Sequence, residues 1–455
     1  MQLFHAILPA VLILTLVVCL FLSQRYWLRL VRDLEKRAKH PGWRALLRFV
    51  WLAMLLGITL PVFIWILGGL PRSAKALPLV GMWLSTSLFA WLLIKAVKGM
   101  EWAWVRLRAR TWRSQPGAGS TSTDPVAPVA AAAGEALESP SRRYFFQTAA
   151  YLAGAVPFVG ALYGFAAGRL RYTVERVEVP LPNLPAALDG LRIAQLSDFH
   201  MSGYMTANQV RRAVDMANDL GAELAIVTGD FITGRADPLE ECVQELSRLR
   251  APLGVWGCLG NHEIYAQCER EATALFGQVG VRILRHQNAE IVWRGQALNL
   301  IGVDYQRMRQ PDGSRAPMLE GIELLVRERV PNVLLSHNPN AFPRASDLGV
   351  ALTLAGHTHG GQINVEILEQ RLNPARFFTD FIAGLYERPM GRVRRKAAPL
   401  ENMGNLSTSQ PLSLATQHSP RATAFLYVNR GLGTVGTPVR LGAPPEITLL
   451  TLRRA

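Results

Sequence analysis

The chain has 455 residues and a formal net charge of +15, with 49% apolar and 18% charged residues. That surplus would suit a nucleic-acid binder, but eight basic residues fall within 24–48 and eight within 95–143, beside apolar segments, so membrane topology explains much of it and no nucleic-acid partner is expected. Four cysteines at no recognisable metal spacing argue against a structural zinc–thiolate site.

Composition is split. Residues 1–170 are apolar with basic punctuation, and the rest reads as globular. Segments 3–22, 49–70 and 77–97 are each about 20 mostly apolar residues, long enough to span a bilayer. They define a transmembrane region over 1–116. A linker over 117–140 follows, rich in Ala, Pro, Ser, Thr and Gly. Segment 141–170 holds a fourth apolar stretch, 145–167, read here as a fourth span, with a buried or interfacial helix as the alternative. No basic residue precedes the first segment, which disfavours a signal peptide. Arg142-Arg143 before Tyr144-Phe145-Phe146 resembles a twin-arginine export signal, or else two arginines anchoring a helix at the cytoplasmic face. Basic loops stay in the cytoplasm. The expected topology is therefore a multi-pass protein of the cytoplasmic membrane, with residues 171–455 delivered outside and basic loops able to touch anionic lipids. Few ionisable groups lie within the spans, Lys95 being near an end, which disfavours an ion pathway.

From residue 171 the pattern alternates strand and helix, which predicts a layered α/β core. RYTVERVEVPLP over 171–182 alternates like a strand. Thr206–Leu220 predicts a helix with Thr206 as N-cap, Gln209 three residues on and Gly221 just past the end. Pro238–Arg250 predicts another, with Asp237 as cap and Pro238 in the first turn. Residues 283–303 predict a meander of short strands turning at Arg294-Gly295. A long stretch over 363–426, with a Ser/Thr/Gln-rich middle at 403–420, predicts an enlarged loop.

Five polar islands follow short apolar runs. LRIAQL leads to Asp198-Phe199-His200, LAIV to Gly229-Asp230, and VWGCL to Gly260-Asn261-His262-Glu263. NVLL leads to Ser336-His337-Asn338, and ALTLA to Gly356-His357-Thr358-His359-Gly360-Gly361. Each run reads as a buried strand, so each island lies past a strand's C-terminal end, where open α/β sheets place ligands. Five of the nine histidines sit in these islands. Carboxylate, imidazole and amide without thiolate suit divalent Mn, Fe or Zn. Two such ions about 3.5–4 Å apart can share a carboxylate and a hydroxide, and a histidine outside the metal shell can protonate a leaving group.

The five islands, in this order, resemble the signature of calcineurin-like metallophosphoesterases, over roughly residues 171–455. The stretch 427–452 resembles the end of the subgroup with membrane segments or export signals. The resemblance implies a four-layer α/β/β/α sandwich behind the transmembrane helical region. It also implies a cofactor of two divalent ions: Asp198, His200 and His359 on the first, Asp230 bridging, and Asn261, His337 and His357 on the second. His262 would be the catalytic proton donor. The implied activity is hydrolysis of a phosphodiester, phosphomonoester or pyrophosphate by a metal-bridging hydroxide; anchoring near lipid headgroups, rather than the resemblance, suggests a lipid- or nucleotide-linked substrate. The competing reading is a catalytically silent membrane sensor or scaffold that binds a phosphorylated ligand.

Overall fold

A computed structural model describes residues 2–66, 76–113, 140–306, 318–367, 370–377, 379–390 and 422–455. The linker expected before Pro140 and the Ser/Thr/Gln-rich stretch 403–420 lie outside the described residues. The chain divides into two compact units, Met1–Phe165 and Ala166–Ala455.

The first unit is helical: α1 (Gln2–Arg37), α2 (Pro41–Ile66), α3 (Ala76–Arg113) and α4 (Pro140–Ala166). Among the described residues, three stretches are long and apolar enough to cross a membrane: Ile13–Arg37, Pro78–Leu107 and Pro140–Leu170. Phe21, Leu152, Val156 and Leu162 turn their side chains outward. A polar cluster joins α1 to α3. Gln24 Nε2 donates to Ser87 Oγ (2.8 Å), and the indole nitrogens of Trp27 and Trp83 donate to Ser87 O and Gln24 Oε1, both at 2.9 Å. Buried polar atoms in apolar surroundings must be paired in this way. The basic stretch 24–48 is not a loop. α1 runs on to Arg37 because its Leu, Arg, Lys and Glu are helix formers, and α2 opens at Pro41. The basic side chains therefore decorate helix ends.

The second unit holds two six-stranded mixed sheets. The strands of the first are β1 (Thr173–Leu181), β2 (Arg192–Leu196), β3 (Leu224–Thr228), β4 (Val255–Cys258), β5 (Val281–Ile283) and β14 (Glu446–Arg454), ordered β1-β14-β2-β3-β4-β5. The strands of the second are β6 (Gln287–Trp293), β7 (Gln296–Gly302), β8 (Asn332–Leu335), β9 (Leu352–Ala355), β12 (Gly384–Pro389) and β13 (Thr423–Val428), ordered β12-β13-β9-β8-β7-β6. β2, β3, β4 and β5 are parallel, as are β7, β8 and β9.

Strand period explains the layers. Along β3, Leu224 and Ile226 enter a core shared with Leu298, Leu300, Val333, Leu335, Leu352 and Leu354 of the second sheet. The alternate residues, Ala225 and Val227, face the opposite way. There they meet α5 (Ala207–Asn218), α6 (Leu239–Leu246) and α8 (Glu269–Gln278) through Val210, Val214, Leu246 and Phe276. The outer face of the second sheet is covered by the short α9 (Phe342–Asp347) and 3₁₀ turns, through Ile322, Ala341, Phe342 and Ala345. The four-layer α/β/β/α sandwich is thus present, with one helical layer much thinner than the other.

Thr206 caps α5, its N–H donating to Gln209 Oε1 at 3.0 Å. Arg294 (φ 47°) and Gly295 (φ 76°) turn the β6–β7 hairpin. Asp237 does not cap α6. Its Oδ2 accepts from the N–H groups of Thr233 and Gly234, both at 2.9 Å, so it closes the preceding turn, and α6 stops at Leu246 rather than Arg250. The 363–426 stretch is not structureless throughout: it contains the β10 (Val365–Ile367) and β11 (Gln370–Leu372) hairpin and β12.

Candidate metal centre

The five islands sit at the C-terminal ends of β2, β3, β4, β8 and β9, brought to one edge of the sandwich by their parallel pairing. After β4 the chain enters α7 (Asn261–Tyr265) directly.

Three groups of side chains converge: Asp198 with His200 and His359; Asp230 with His337 and His357; and His200 with Asp230 and His262. His200 Nε2 lies 3.1 Å from His359 Nε2 and 3.4 Å from Asp230 Oδ2. His359 Nε2 is 3.4 Å from Asp198 Oδ1, and His337 Nε2 is 3.0 Å from Asp230 Oδ2. Asp198, His200 and His337 have no solvent exposure, and Asn261 is also buried.

Does this set fit metal ions? Asn261 Oδ1 is buried and makes no hydrogen bond, and His337 Nε2 is buried with the Asp230 carboxylate 3.0 Å away. Leaving the amide oxygen unmatched costs about 1–3 kcal/mol. An ion coordinated by both would remove that cost, and amide oxygen with imidazole is a fitting donor pair. The backbone agrees. Asp198 (φ 51°), His200 (45°), Asp230 (56°), His357 (75°) and His359 (54°) all occupy left-handed space. Such conformations cost of order 1–3 kcal/mol each and cluster at functional sites. Two glycines permit the close approach: a Cβ on Gly260 would collide with Asp230 Oδ1, and one on Gly356 with Ser197 Oγ and Asp198 Oδ2.

Hydrogen bonds orient the rings. His337 Nδ1 meets Thr228 O at 2.5 Å, and His262 Nδ1 meets Thr233 O at 2.7 Å. A carbonyl only accepts, so each Nδ1 carries a hydrogen and Nε2 is the atom turned to the site: on His337 it coordinates once its own proton is expelled, and on His262 it carries a proton when it acts as a donor. Asp198 is braced by the His357 N–H (3.0 Å) and Asp230 by the His262 N–H (2.9 Å).

The electrostatics are those of a metal-free site. Burial pushes the Asp198 carboxyl up to about 6, helped by Asp230. Burial also opposes charge on Asp230, but His337 and His200 outweigh it and hold that carboxyl well below its usual range. Burial lowers His200 to about 3 and His357 to about 4, and takes His359 well down. For His337 burial is outweighed by Asp230 and Asp198, which push it up to about 10.

Two supporting residues carried no assigned role in the sequence. Glu263 accepts from the N–H groups of Asp230 (3.0 Å), Phe231 (2.8 Å) and Gly260 (2.8 Å), tying the β3 and β4 islands together. The signal available was its place in the third island. Arg440, 1% exposed, donates to the carbonyls of Gly433, Ala443 and Arg430 and lies 3.4 Å from His359 Nδ1. Nothing local in the sequence marks it. Asn338, in the fourth island, instead closes a turn by accepting the Asn340 N–H. The long 363–426 stretch reaches the His359 turn, since Asn373 Nδ2 donates to Gly360 O (2.9 Å) and Thr358 Oγ1 to Ile382 O. A cavity of about 760 Å³ under it is lined by Glu175, Tyr386, Arg430 and Glu446, and no metal-ligand candidate lines it. All four cysteines are free.

Residues 191–361 match the family model of the calcineurin-like phosphoesterases. The chain is 28% identical over 313 residues to a transmembrane protein with metallophosphoesterase domain from Danio rerio, covering 67% of this chain and 62% of that protein. It is 27% identical over 325 residues to the uncharacterized metallophosphoesterase YkuE of Bacillus subtilis, covering 70% of this chain and 99% of that protein. It is 24% identical over 322 residues to the UDP-2,3-diacylglucosamine pyrophosphatase LpxG of Chlamydia trachomatis, covering 61% and 88%. The chain thus spans about three fifths of the Danio relative's length. The match over 191–361 falls on the mixed double sheet and the five strand-end islands, so that part of the chain carries a calcineurin-like phosphoesterase domain.

Proposed function

We propose that this protein is a membrane-anchored, dinuclear-metal phosphoesterase. The observation that carries the reading is the position of Asp230, whose carboxylate is shared by two of the ligand groups and lies between His200 and His337. Asp198, His200 and His359 would hold one ion, Asn261, His337 and His357 the other, and Asp230 both. Divalent ions so held supply a water made nucleophilic near neutral pH and neutralise phosphoryl oxygens. The chain's own groups do the rest. Asp198 and Asp230 fix the charge of the site, and their N–H braces keep both carboxylates from rotating. His262, with Nδ1–H tied to Thr233 O, presents Nε2, which in the imidazolium form carries the second proton and gives it to the leaving oxygen, leaving a neutral ring. Replacing Asp230 with Asn should abolish turnover of an aryl phosphodiester in the full chain; retained turnover contradicts the assignment.

The substrate class follows from anchoring and from the LpxG likeness: a phosphodiester or pyrophosphate carried on a lipid or nucleotide. The apolar helices and the basic residues on helix ends support a multi-pass anchor in the cytoplasmic membrane, with Pro140–Leu170 crossing it and the phosphoesterase unit outside. Protease added to intact spheroplasts should then cut within residues 171–455; full protection would place that unit inside.

A further inference from the structure

We infer that Thr233 is a positioning residue for both halves of this reaction, setting the metal ligand His200 through its hydroxyl and the proton donor His262 through its carbonyl. The inference rests on the phosphoesterase reading above. Thr233 lies three residues past Asp230, in the turn that follows β3. Its Oγ1 is 3.2 Å from His200 Nδ1, and its carbonyl oxygen is 2.7 Å from His262 Nδ1. The two rings stand edge to face, with centroids 4.7 Å apart at 90°. One residue therefore fixes two perpendicular imidazoles that serve different steps.

The roles of the two oxygens differ. The carbonyl can only accept, so it keeps a hydrogen on His262 Nδ1 and makes Nε2 the nitrogen that gives up its proton. The hydroxyl can donate or accept. His200 Nε2 faces Asp230 Oδ2 and His359 Nε2, so it is the coordinating atom. Nδ1 then carries the hydrogen and the hydroxyl accepts it. A ligand histidine held by its other nitrogen is a recurrent device that sharpens metal affinity.

Thr233 is itself held on both sides. Asp237 Oδ2 takes the N–H groups of Thr233 and Gly234. Upstream, Glu263 takes the Phe231 N–H at 2.8 Å, and the Phe231 carbonyl accepts the Met201 N–H at 2.9 Å. The turn cannot shift without disturbing both histidines.

Because the two contacts use different atoms, they separate by substitution. Thr233→Val removes the hydroxyl and keeps the carbonyl. Thr233→Ser keeps both. Asp237→Ala frees the turn. The full chain in detergent would be assayed for Mn²⁺ bound after equilibrium dialysis. Its turnover of aryl phosphodiesters with good and poor leaving groups would be compared. Thr233→Val should weaken Mn²⁺ binding by about 10–100-fold, with turnover restored at saturating Mn²⁺ and leaving-group dependence unchanged. Thr233→Ser should match the parent. Asp237→Ala should weaken Mn²⁺ binding and also slow poor leaving groups more than good ones, the signature of a misplaced proton donor. Parent-like Mn²⁺ binding in Thr233→Val, or failure of Thr233→Ser to rescue, would overturn the inference. So would an unchanged leaving-group dependence in Asp237→Ala. A parent chain that binds Mn²⁺ without turnover would overturn the hydrolytic reading and with it the His262 half, while the Thr233→Val dialysis still decides the His200 half.

Discussion

His337 shows how individual groups in this site are set against one another. Its Nε2 lies between two aspartates, 3.0 Å from Asp230 Oδ2 and 3.8 Å from Asp198 Oδ1. Burial disfavours its charge, but these carboxylates raise its pKa to about 10 in the metal-free protein. The sign follows directly. Below pH 10 the metal-free ring carries a proton on Nε2, and an ion needs that nitrogen bare, so binding must expel the proton. Metal affinity should therefore rise as pH is raised from 6 to 8, by up to about tenfold per unit for one proton released. Titrating Mn²⁺ at several pH values checks this; affinity that is flat or falls with pH contradicts it. The candidate ligand residues stand out in the sequence because metal sites need rare residue types, and those types recur at strand ends. Glu263 and Thr233 were not assigned because their work depends on backbone N–H and carbonyl groups, which any residue carries. Arg440 was invisible for a related reason: it reaches the site from a turn ten residues past Arg430, and its partners are main-chain carbonyls.

At the scale of elements, the site is supported from behind by aromatic packing. Phe199 and Phe231, each next to a candidate ligand aspartate, stack at 5.9 Å, and Phe231 meets Phe276 of α8 at 4.4 Å. All three are fully buried. Replacing Phe276 with Ala should cost about 3–5 kcal/mol and loosen the turn after Asp230. Denaturant unfolding of the second unit, followed alongside Mn²⁺ binding, reads both effects; unchanged stability would show that α8 does not brace the site. Apolar alternation predicted the strands well because a two-faced core forces it: β3 feeds Ile226 to one side and Val227 to the other. Helix ends were harder. Asp237 has the composition of a cap, yet its carboxylate is taken by two N–H groups of its own turn. Which of two nearby sets of donors wins is a tertiary outcome. Similarly, a thin helical layer over the second sheet could not be anticipated, because Phe342–Asp347 is too short to show a helical period.

On the scale of the whole molecule, the two units reflect the split in composition. The described residues before 166 form apolar helices with outward-facing side chains, and the described residues after it bury two large cores and smaller clusters. The basic stretches seen in the sequence are placed on helices rather than loops, since no strong breaker separates Gln24 from Arg37. The residue order that exposes the metal set says nothing of what the substrate carries beyond its phosphate, because that part meets surfaces assembled from distant segments. The proposed metal-dependent hydrolysis is tested most directly by turnover of the purified full chain in detergent. Chromogenic phosphodiester and phosphomonoester would be compared with Mn²⁺, with Zn²⁺ and after chelation. The expected result is hydrolysis that chelation abolishes and metal restores. Folded protein with two bound ions and no turnover of either ester would contradict it and leave a domain that only binds its phosphorylated ligand.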